Sequence, residues 1–552
     1  MADGEGERMT DYSDTFLSLA APKDRAAVET ALGGAGGRNS WAELQQAFLA
    51  RIDAYVEAEL PQPPDHLISS HEAGGAWRIG YPHYHTRGDR RIPEQMARIM
   101  AARRAYTDAT YYHGFPDEAE VHHEIETFLY FQVPLAFLGL AGSDAALASV
   151  EDAAHHTGNW VSGVPEWYDW GTRGFRSTWL GTRSVRARAP FDYQEANHFR
   201  FLATALTVYE KTGQERCLQL AVGYADRWCE HIEAQAAAGG PITCAILPPG
   251  AHSEELGHAG KATDTSRYQI FYSSVAPNTA YEVSGGLLDV YRLTGNARYL
   301  SCSRLMLDQF FRNGRDGRPA LRYQNGAWQH DAHGADEEFG VRAAVLQNGA
   351  MLARPAVRHD LVTGESRYRD WMLAWAGAID ESAFPGDQIA ADVLVAAHYY
   401  TGDPAWLARA YAMDLRTWAV VEQDPSPHMC NSAGRYGSKF LFEFSYQPLL
   451  GSADWGTRAG LPVQALRHRT DGREGLPEGV AFRTWRAGDG VDAFEAVSGV
   501  SAADWVMGSA EDGRLLSGAE AGGQALTPVT DGYHLRLAAG ATVSGRLQWT
   551  LC

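Results

Sequence analysis

From Ser40 onward the apolar residues recur at helical spacing: Trp41, Leu44, Phe48, Ile52, Tyr55 and Val56 stand mostly three or four apart. Ser40 is a candidate N-cap, and Glu43 three residues later completes a capping box. Further along, one pattern repeats. A helix ends on Thr-Gly and the next begins within a few residues on an aromatic or leucine. It reads Tyr209-Glu-Lys-Thr-Gly-Gln-Glu-Arg-Cys-Leu, Tyr291-Arg-Leu-Thr-Gly-Asn-Ala-Arg-Tyr-Leu, Thr363-Gly-Glu-Ser-Arg-Tyr and Tyr400-Thr-Gly-Asp-Pro-Ala-Trp-Leu, with Leu140-Ala-Gly-Ser-Asp-Ala-Ala-Leu as a degenerate copy. Glycine there supplies the left-handed residue that ends a helix. Most copies lie roughly seventy to eighty residues apart, room for a helical hairpin and a long loop such as Gly239 to Pro277. Hairpins of this kind bury their shared faces only against neighbours, which predicts a solenoid or a closed toroid. After Gly460 the period changes to two, in Ala481-Phe-Arg-Thr-Trp-Arg, Asp492-Ala-Phe-Glu-Ala-Val, Tyr533-His-Leu-Arg-Leu and Ser544-Gly-Arg-Leu-Gln-Trp-Thr-Leu, which predicts a small antiparallel β-domain. The expected organisation is therefore mainly α: a lead-in over 1–39, a helical body over 40–460 and a β-domain over 461–552.

Composition narrows the partners. The 552 residues carry a net charge of −20 with a pI near 5.4, which argues against nucleic acid and anionic membrane surfaces. No apolar run reaches the length of a membrane span. The start, Met1-Ala-Asp-Gly-Glu-Gly-Glu-Arg, lacks the basic and apolar regions of a signal peptide, so a cytoplasmic location is expected. Six scattered cysteines with no Cys-x-x-Cys read as reduced.

The chemistry concentrates between Glu120 and Arg188. That stretch opens on Glu120-Val-His-His-Glu-Ile-Glu-Thr-Phe and passes through Pro165-Glu-Trp-Tyr-Asp-Trp. It ends with Arg173, Arg176, Arg183, Arg186 and Arg188, and no acid lies between Trp170 and Phe191. Arginine forks suit carboxylates and aromatic faces suit sugar rings, so Trp167, Tyr168, Arg173 and Arg176 are candidate substrate contacts. The competing reading is a solvated, Arg-rich surface loop. A second loop, Pro427-His-Met-Cys-Asn-Ser-Ala-Gly-Arg-Tyr, adds Arg435 and Tyr436, which read equally well as a turn.

The hairpins, aromatic loops and C-terminal β-domain together resemble the (α/α) toroid carbohydrate enzymes, with six or seven hairpins. His122-His-Glu-Ile-Glu-Thr-Phe and Pro165-Glu-Trp-Tyr-Asp-Trp resemble most the toroid polysaccharide lyases, the glucuronan- and alginate-lyase families among them, over roughly Ser40 to Leu450. The resemblance implies β-elimination at a uronate. A neutraliser shields the carboxylate, and a Tyr or His removes the C5 proton. Under that reading Asn197 and His198 are the neutraliser pair, against a helix-start Asn and a core His. Tyr272, Tyr281 and His123 are candidate bases, against ordinary packing; His83, His85, Glu124 and Asn278 are further contacts to an anionic carbohydrate. No cofactor is expected, zinc on His83, His85 and a third His being the alternative. Other activities stay open. A toroid glycoside hydrolase would use paired carboxylates, Glu166 and Asp169 or two of Asp336, Glu337 and Glu338. An epimerase would use two His, and a scaffold would only bind. The lyase is favoured because a hydrolase has no special need of concentrated Arg, Tyr and His.

Overall fold

The computed structural model describes residues 40–61, 79–110, 115, 119–120, 132–251, 275, 277–324, 326–330, 350–379, 390–423, 443–451 and, with short gaps, 454–551. Among the described residues five helices come first: α1 (Ser40–Glu59), α2 (Gly80–Arg87), α3 (Arg91–Thr110), α4 (Val133–Leu138) and α5 (Ser143–Thr157). Four helical hairpins follow: α6 (His198–Thr212) with α7 (Glu215–Ala238), α8 (Pro277–Thr294) with α9 (Ala297–Arg312), α10 (Ala353–Thr363) with α11 (Arg369–Ala378), and α12 (Ala391–Thr401) with α13 (Pro404–Gln423). A single turn, α14 (Gln447–Leu450), ends the helical part.

The first helix of each hairpin is internal. Helices α6, α8, α10 and α12 pack side by side in that order, while α7 and α9 pack against each other outside them. Composition explains the layers. Residues 391–399 of α12 and 353–361 of α10 are buried all round, whereas α7 and α9 bury one stripe and expose the other face. The last long helix, α13, packs along the first, α1, which closes the helices into an (α/α) toroid.

The Thr-Gly turns inside the four hairpins adopt one geometry, which the Thr157-Gly158 end of α5, with Gly158 at φ −84°, does not share. Gly213, Gly295, Gly364 and Gly402 are left-handed, with φ of 72°, 67°, 73° and 68°. The preceding threonines, Thr212, Thr294, Thr363 and Thr401, each donate from Oγ1 to the carbonyl four residues back at 2.7, 2.7, 2.8 and 2.7 Å. In three turns the same hydroxyl also accepts from the amide two residues on, that of Asn296, Glu365 or Asp403. A Cβ at Gly213 would meet nothing within 4 Å, while one at Gly402 would lie 2.3 Å from Trp485 Nε1. Gly213→Ala is therefore expected to cost only the left-handed penalty, about 1–2 kcal/mol. Gly402→Ala should cost more by about 1–3 kcal/mol because Trp485 must also move. Denaturant midpoints of the two variants check the ordering, and equal losses would show that Trp485 yields freely.

The C-terminal strands are β1 (Leu466–Thr470), β2 (Arg473–Glu474), β3 (Ala481–Gly488), β4 (Val491–Val497), β5 (Ala503–Ser509), β6 (Arg514–Ala521), β7 (Gln524–Ala525), β8 (Thr527–Val529), β9 (Gly532–Leu537) and β10 (Thr542–Leu551). They form two antiparallel sheets, ordered β2-β1-β5-β9-β8 and β3-β4-β10-β6-β7. In β4 burial alternates strictly, with Asp492, Phe494 and Ala496 inward, and Asp492 is satisfied by Trp549 Nε1 at 2.9 Å.

This β-domain sits on the Thr-Gly end of the ring. Arg483 donates to the Gly402 carbonyl at 2.6 Å, and Arg486 to the Gly364 and Glu365 carbonyls at 2.5 Å. These are orphan carbonyls at helix C-termini, where cations are favoured. Gln45 of α1 clasps the Phe482 backbone from both sides, at 2.8 and 2.9 Å. The inner helices start at the opposite end of the ring.

Candidate functional site

Successive inner helices are tied by ion pairs. Arg200 of α6 reaches Glu282 of α8 at 2.8 Å, Arg358 of α10 reaches Asp289 of α8 at 2.7 Å, and Arg354 of α10 reaches Asp392 of α12 at 2.7 Å. The last pair lies at the very start of its helices and is the centre of the candidate site.

Arg354 is fully buried. Its Nε donates to Asp392, its Nη1 stands 3.9 Å from a Glu443 carboxylate oxygen, and its guanidinium lies 4.1 Å from the Phe444 ring centre. Among the described residues neither Nη1 nor Nη2 has a hydrogen-bond partner. Burial opposes the charge, but Asp392, Tyr281 and Glu443 outweigh it and hold the group protonated. Leaving such donors unmet inside a protein costs about 1–3 kcal/mol, a cost proteins accept mainly at sites that receive something. Asp392 is buried too, and burial pushes its carboxyl above the usual range while Arg354 pulls it back. Deeper, Asp414 bonds the Ser445 hydroxyl and is held well above the usual range, first by burial. Asn197 stands at the cap position of α6, buried, with no side-chain capping bond.

Of the residues singled out from sequence, Tyr281 lies within electrostatic reach of Arg354 and Asn197 stands at an inner-helix start. The rest of the described ones go elsewhere. His198 points into the core. Its Nε2 donates to the Ser177 carbonyl at 2.9 Å, its Nδ1 accepts from the Glu195 amide at 3.1 Å, and its ring stacks on Phe175. Burial pushes it down to about 4, so both nitrogens serve the fold and neither is left for a substrate. Trp167 and Tyr168 are core residues, not exposed stacking faces. Trp167 donates to the Gly181 carbonyl at 3.0 Å, and the Tyr168 hydroxyl is raised by burial. The arginines are surface ties. Arg173 grips Glu230 of the outer helix α7 at 2.7 Å, and Arg176 pairs with Glu166 at 2.6 Å. The anion-gripping role expected of this stretch is corrected accordingly, since Glu230 from α7 and Glu166 from the same stretch pair with these guanidiniums. Glu166 is spent in the same way, and Asp169 caps the amides of Gly171 and Thr172.

His83 and His85 occupy a helix, not a loop, because Pro82 falls in its first turn, where no intrahelical amide is needed. Two residues apart on a helix, they diverge. His83 bonds Tyr446 at 2.8 Å and Asp53 at 2.9 Å, while His85 faces a different cavity. They cannot share a metal, and no three His, Cys, Asp or Glu among the described residues form a metal cluster. Asn278 lies in the first turn of α8 with its side chain outside the description. His122, His123, Glu124, Glu126, Tyr272, Asp336, Glu337, Glu338, Arg435 and Tyr436 lie outside the described residues. No helix among the described residues is long and apolar enough to cross a membrane.

Sequence reading missed Arg354, Asp392 and Glu443. A signal existed for the first two: each lies nine residues before the Thr of its turn, 354 before 363 and 392 before 401. In α10 and α12 that count lands on the second residue of the helix. The surface placement of the other arginines carries its own expectation. Arg173→Ala and Arg176→Ala should change stability by no more than about 1 kcal/mol and leave turnover unchanged. A large loss of turnover in either would restore them to the site.

No family model matches the chain, and no curated protein does. Solved structures similar to it include an unsaturated glucuronyl hydrolase from Bacillus sp. GL1 (12% identity, 69% of this chain and 87% of that one, TM-score 0.37). A cellobiose 2-epimerase from Spirochaeta thermophila is also similar (14%, 64% and 97%, TM-score 0.40). So is a β-L-arabinofuranosidase from Geobacillus stearothermophilus (11%, 91% and 80%, TM-score 0.31). At such identities and scores the likeness says nothing of the reaction.

Proposed function

We propose that the chain is a carbohydrate-active enzyme, a lyase that cleaves a uronate-bearing saccharide by β-elimination at the open end of the ring. One observation carries the reading: the buried guanidinium of Arg354 has terminal nitrogens without hydrogen-bond partners among the described residues, and Tyr281 is within electrostatic reach of it. A uronate carboxylate laid on Nη1 and Nη2 completes a bidentate pair. Charge delocalised onto that carboxylate after C5 deprotonation is then stabilised where it forms. Tyr281 removes the C5 proton, the C5–H electrons form the C4=C5 bond, and the C4–O bond breaks with the leaving oxygen reprotonated. Asn197 supplies a further donor at the next inner helix.

The second reading is hydrolysis, favoured by Asp392, whose carboxyl burial holds upward as a general acid requires, with Glu443 as the second carboxylate. Near-ultraviolet absorbance during incubation with uronate oligomers separates the two. Elimination creates a conjugated double bond, while hydrolysis yields new reducing ends without it. Tyr281→Phe should lower the absorbance rate by about 10²–10⁴-fold. Reducing ends without absorbance, lost in Asp392→Asn and kept in Tyr281→Phe, would replace the lyase with the hydrolase.

A further inference from the structure

A second cavity, of about 830 Å³, lies at the covered end of the ring, between the Thr-Gly turn after α6, helix α2 and the β1–β2 hairpin. Strand alternation builds its cationic wall. In β1 Leu466 and His468 turn inward to the protein core, so Arg467 and Arg469 face the other way, and Arg473 follows across the turn. Five cationic side chains line the cavity against three acidic ones, on a chain whose net charge is −20. Two of those acids are already engaged, Glu474 by Arg467 and Glu210 by Arg292, and Arg469 for its part pairs with Asp531 at 3.0 Å. Arg473 is exposed and has no acidic partner among the described residues. The opposite wall is aromatic, with Tyr81, Tyr84 and Tyr209, and includes His85. Both ring nitrogens of His85 are sealed from water and have no hydrogen-bond partner among the described residues.

We propose that this cavity is a second ligand site, separate from the open end of the ring, that takes a small sugar bearing an oxyanion, carboxylate or phosphate. Arginine forks at one wall match the oxyanion, aromatic faces match a sugar ring, and the volume suits one or two sugar units. The lining comes from both the ring and the β-domain, so the occupied cavity stiffens their junction, and the ligand raises the Tm of the whole chain.

The experiment is thermal unfolding and calorimetric titration of the full chain with D-glucuronate and glucose 1-phosphate. The same titrations are run on the double variant Arg469→Ala/Arg473→Ala and on Arg354→Ala. Both substituted positions in the double variant are at the surface or partly exposed, and Lys211→Ala provides an independent variant at the opposite edge. A saturable rise in Tm is expected with at least one probe, kept in Arg354→Ala and weakened about tenfold or more in the double variant and in Lys211→Ala. A response to glucuronate alone identifies a carboxylate ligand, and to glucose 1-phosphate alone a phosphate ligand. No saturable response to either probe overturns the proposal. So does a response that survives the double variant and disappears in Arg354→Ala, which would assign the binding to the open end.

Discussion

Arg354→Ala is expected to lower turnover by about 10²–10³-fold and to destabilise the fold. The two effects have separate causes. Turnover falls because the substrate carboxylate and the charge that develops on it lose their fixed cation, a loss of about 10²–10³-fold for one such donor group. Stability falls because Asp392 and Glu443 are left buried beside no guanidinium. Breaking one side of a buried ion pair costs about 3–5 kcal/mol. Arg354→Lys separates the causes. The ammonium keeps the charge near the two acids but loses the planar fork. It should restore most of the stability and little of the rate, measured as a denaturant midpoint beside kcat/KM. A lysine variant with near-native rate would mean that Arg354 is a structural counter-ion only, and the lyase reading would fall with it.

Acid is expected to unfold this protein well above the usual carboxylate range. His198, His398 and His468 are fully buried, and burial pushes them down to about 4, 3 and 4. In the unfolded chain they titrate near 6.5. A histidine depressed on folding gives its full stability above its unfolded value. It loses that contribution as pH falls toward the folded value, at about 1.4 kcal/mol per pH unit. At pH 5 the cost is about 2 kcal/mol for each, or about 6 together. Asp392 and Asp414 act in the opposite sense, since carboxyls raised on folding add stability as pH falls through their folded values. They offset part of the histidine cost, which leaves a net loss of about 2–6 kcal/mol between pH 6.5 and 5. Urea midpoints over that interval test this, and His468→Gln should flatten the slope by about one proton. A midpoint that stays level to pH 5 would mean that these imidazoles protonate in place.

Much of the fold was legible because it is written locally. In the four hairpin turns Thr-Gly brings a hydroxyl-to-carbonyl bond, a left-handed glycine and a restart within six residues, whereas after Thr157 the left-handed residue is Asn159 and Gly158 keeps φ of −84°. The four copies adopt it alike. Strand alternation in residues 466–551 is local in the same way, although strands begin earlier than the change of period after Gly460, at Asp454–Arg458. Closure of the ring was not local, because it rests on α13 meeting α1 across more than three hundred residues of chain.

The site was legible only in part. Local density of Arg, Trp and His pointed to residues 120–188, yet Arg173 and Arg176 are met by Glu230 and Glu166, while Trp167 fills the core. A residue's neighbours in sequence do not reveal which distant acid neutralises it. Arg354 and Asp392 looked like ordinary charges in apolar helices. Only the ring makes both helices internal and starts them at the same end.

By itself, then, the sequence determined the helical hairpins, their turns and the switch to a β-domain, because each depends on residues within a few positions of one another. The tertiary structure decided which helices face inward, which charges are buried and which side chains stand together at the open end. Burial and charge pairing belong to contacts between distant segments, and no local pattern carries them.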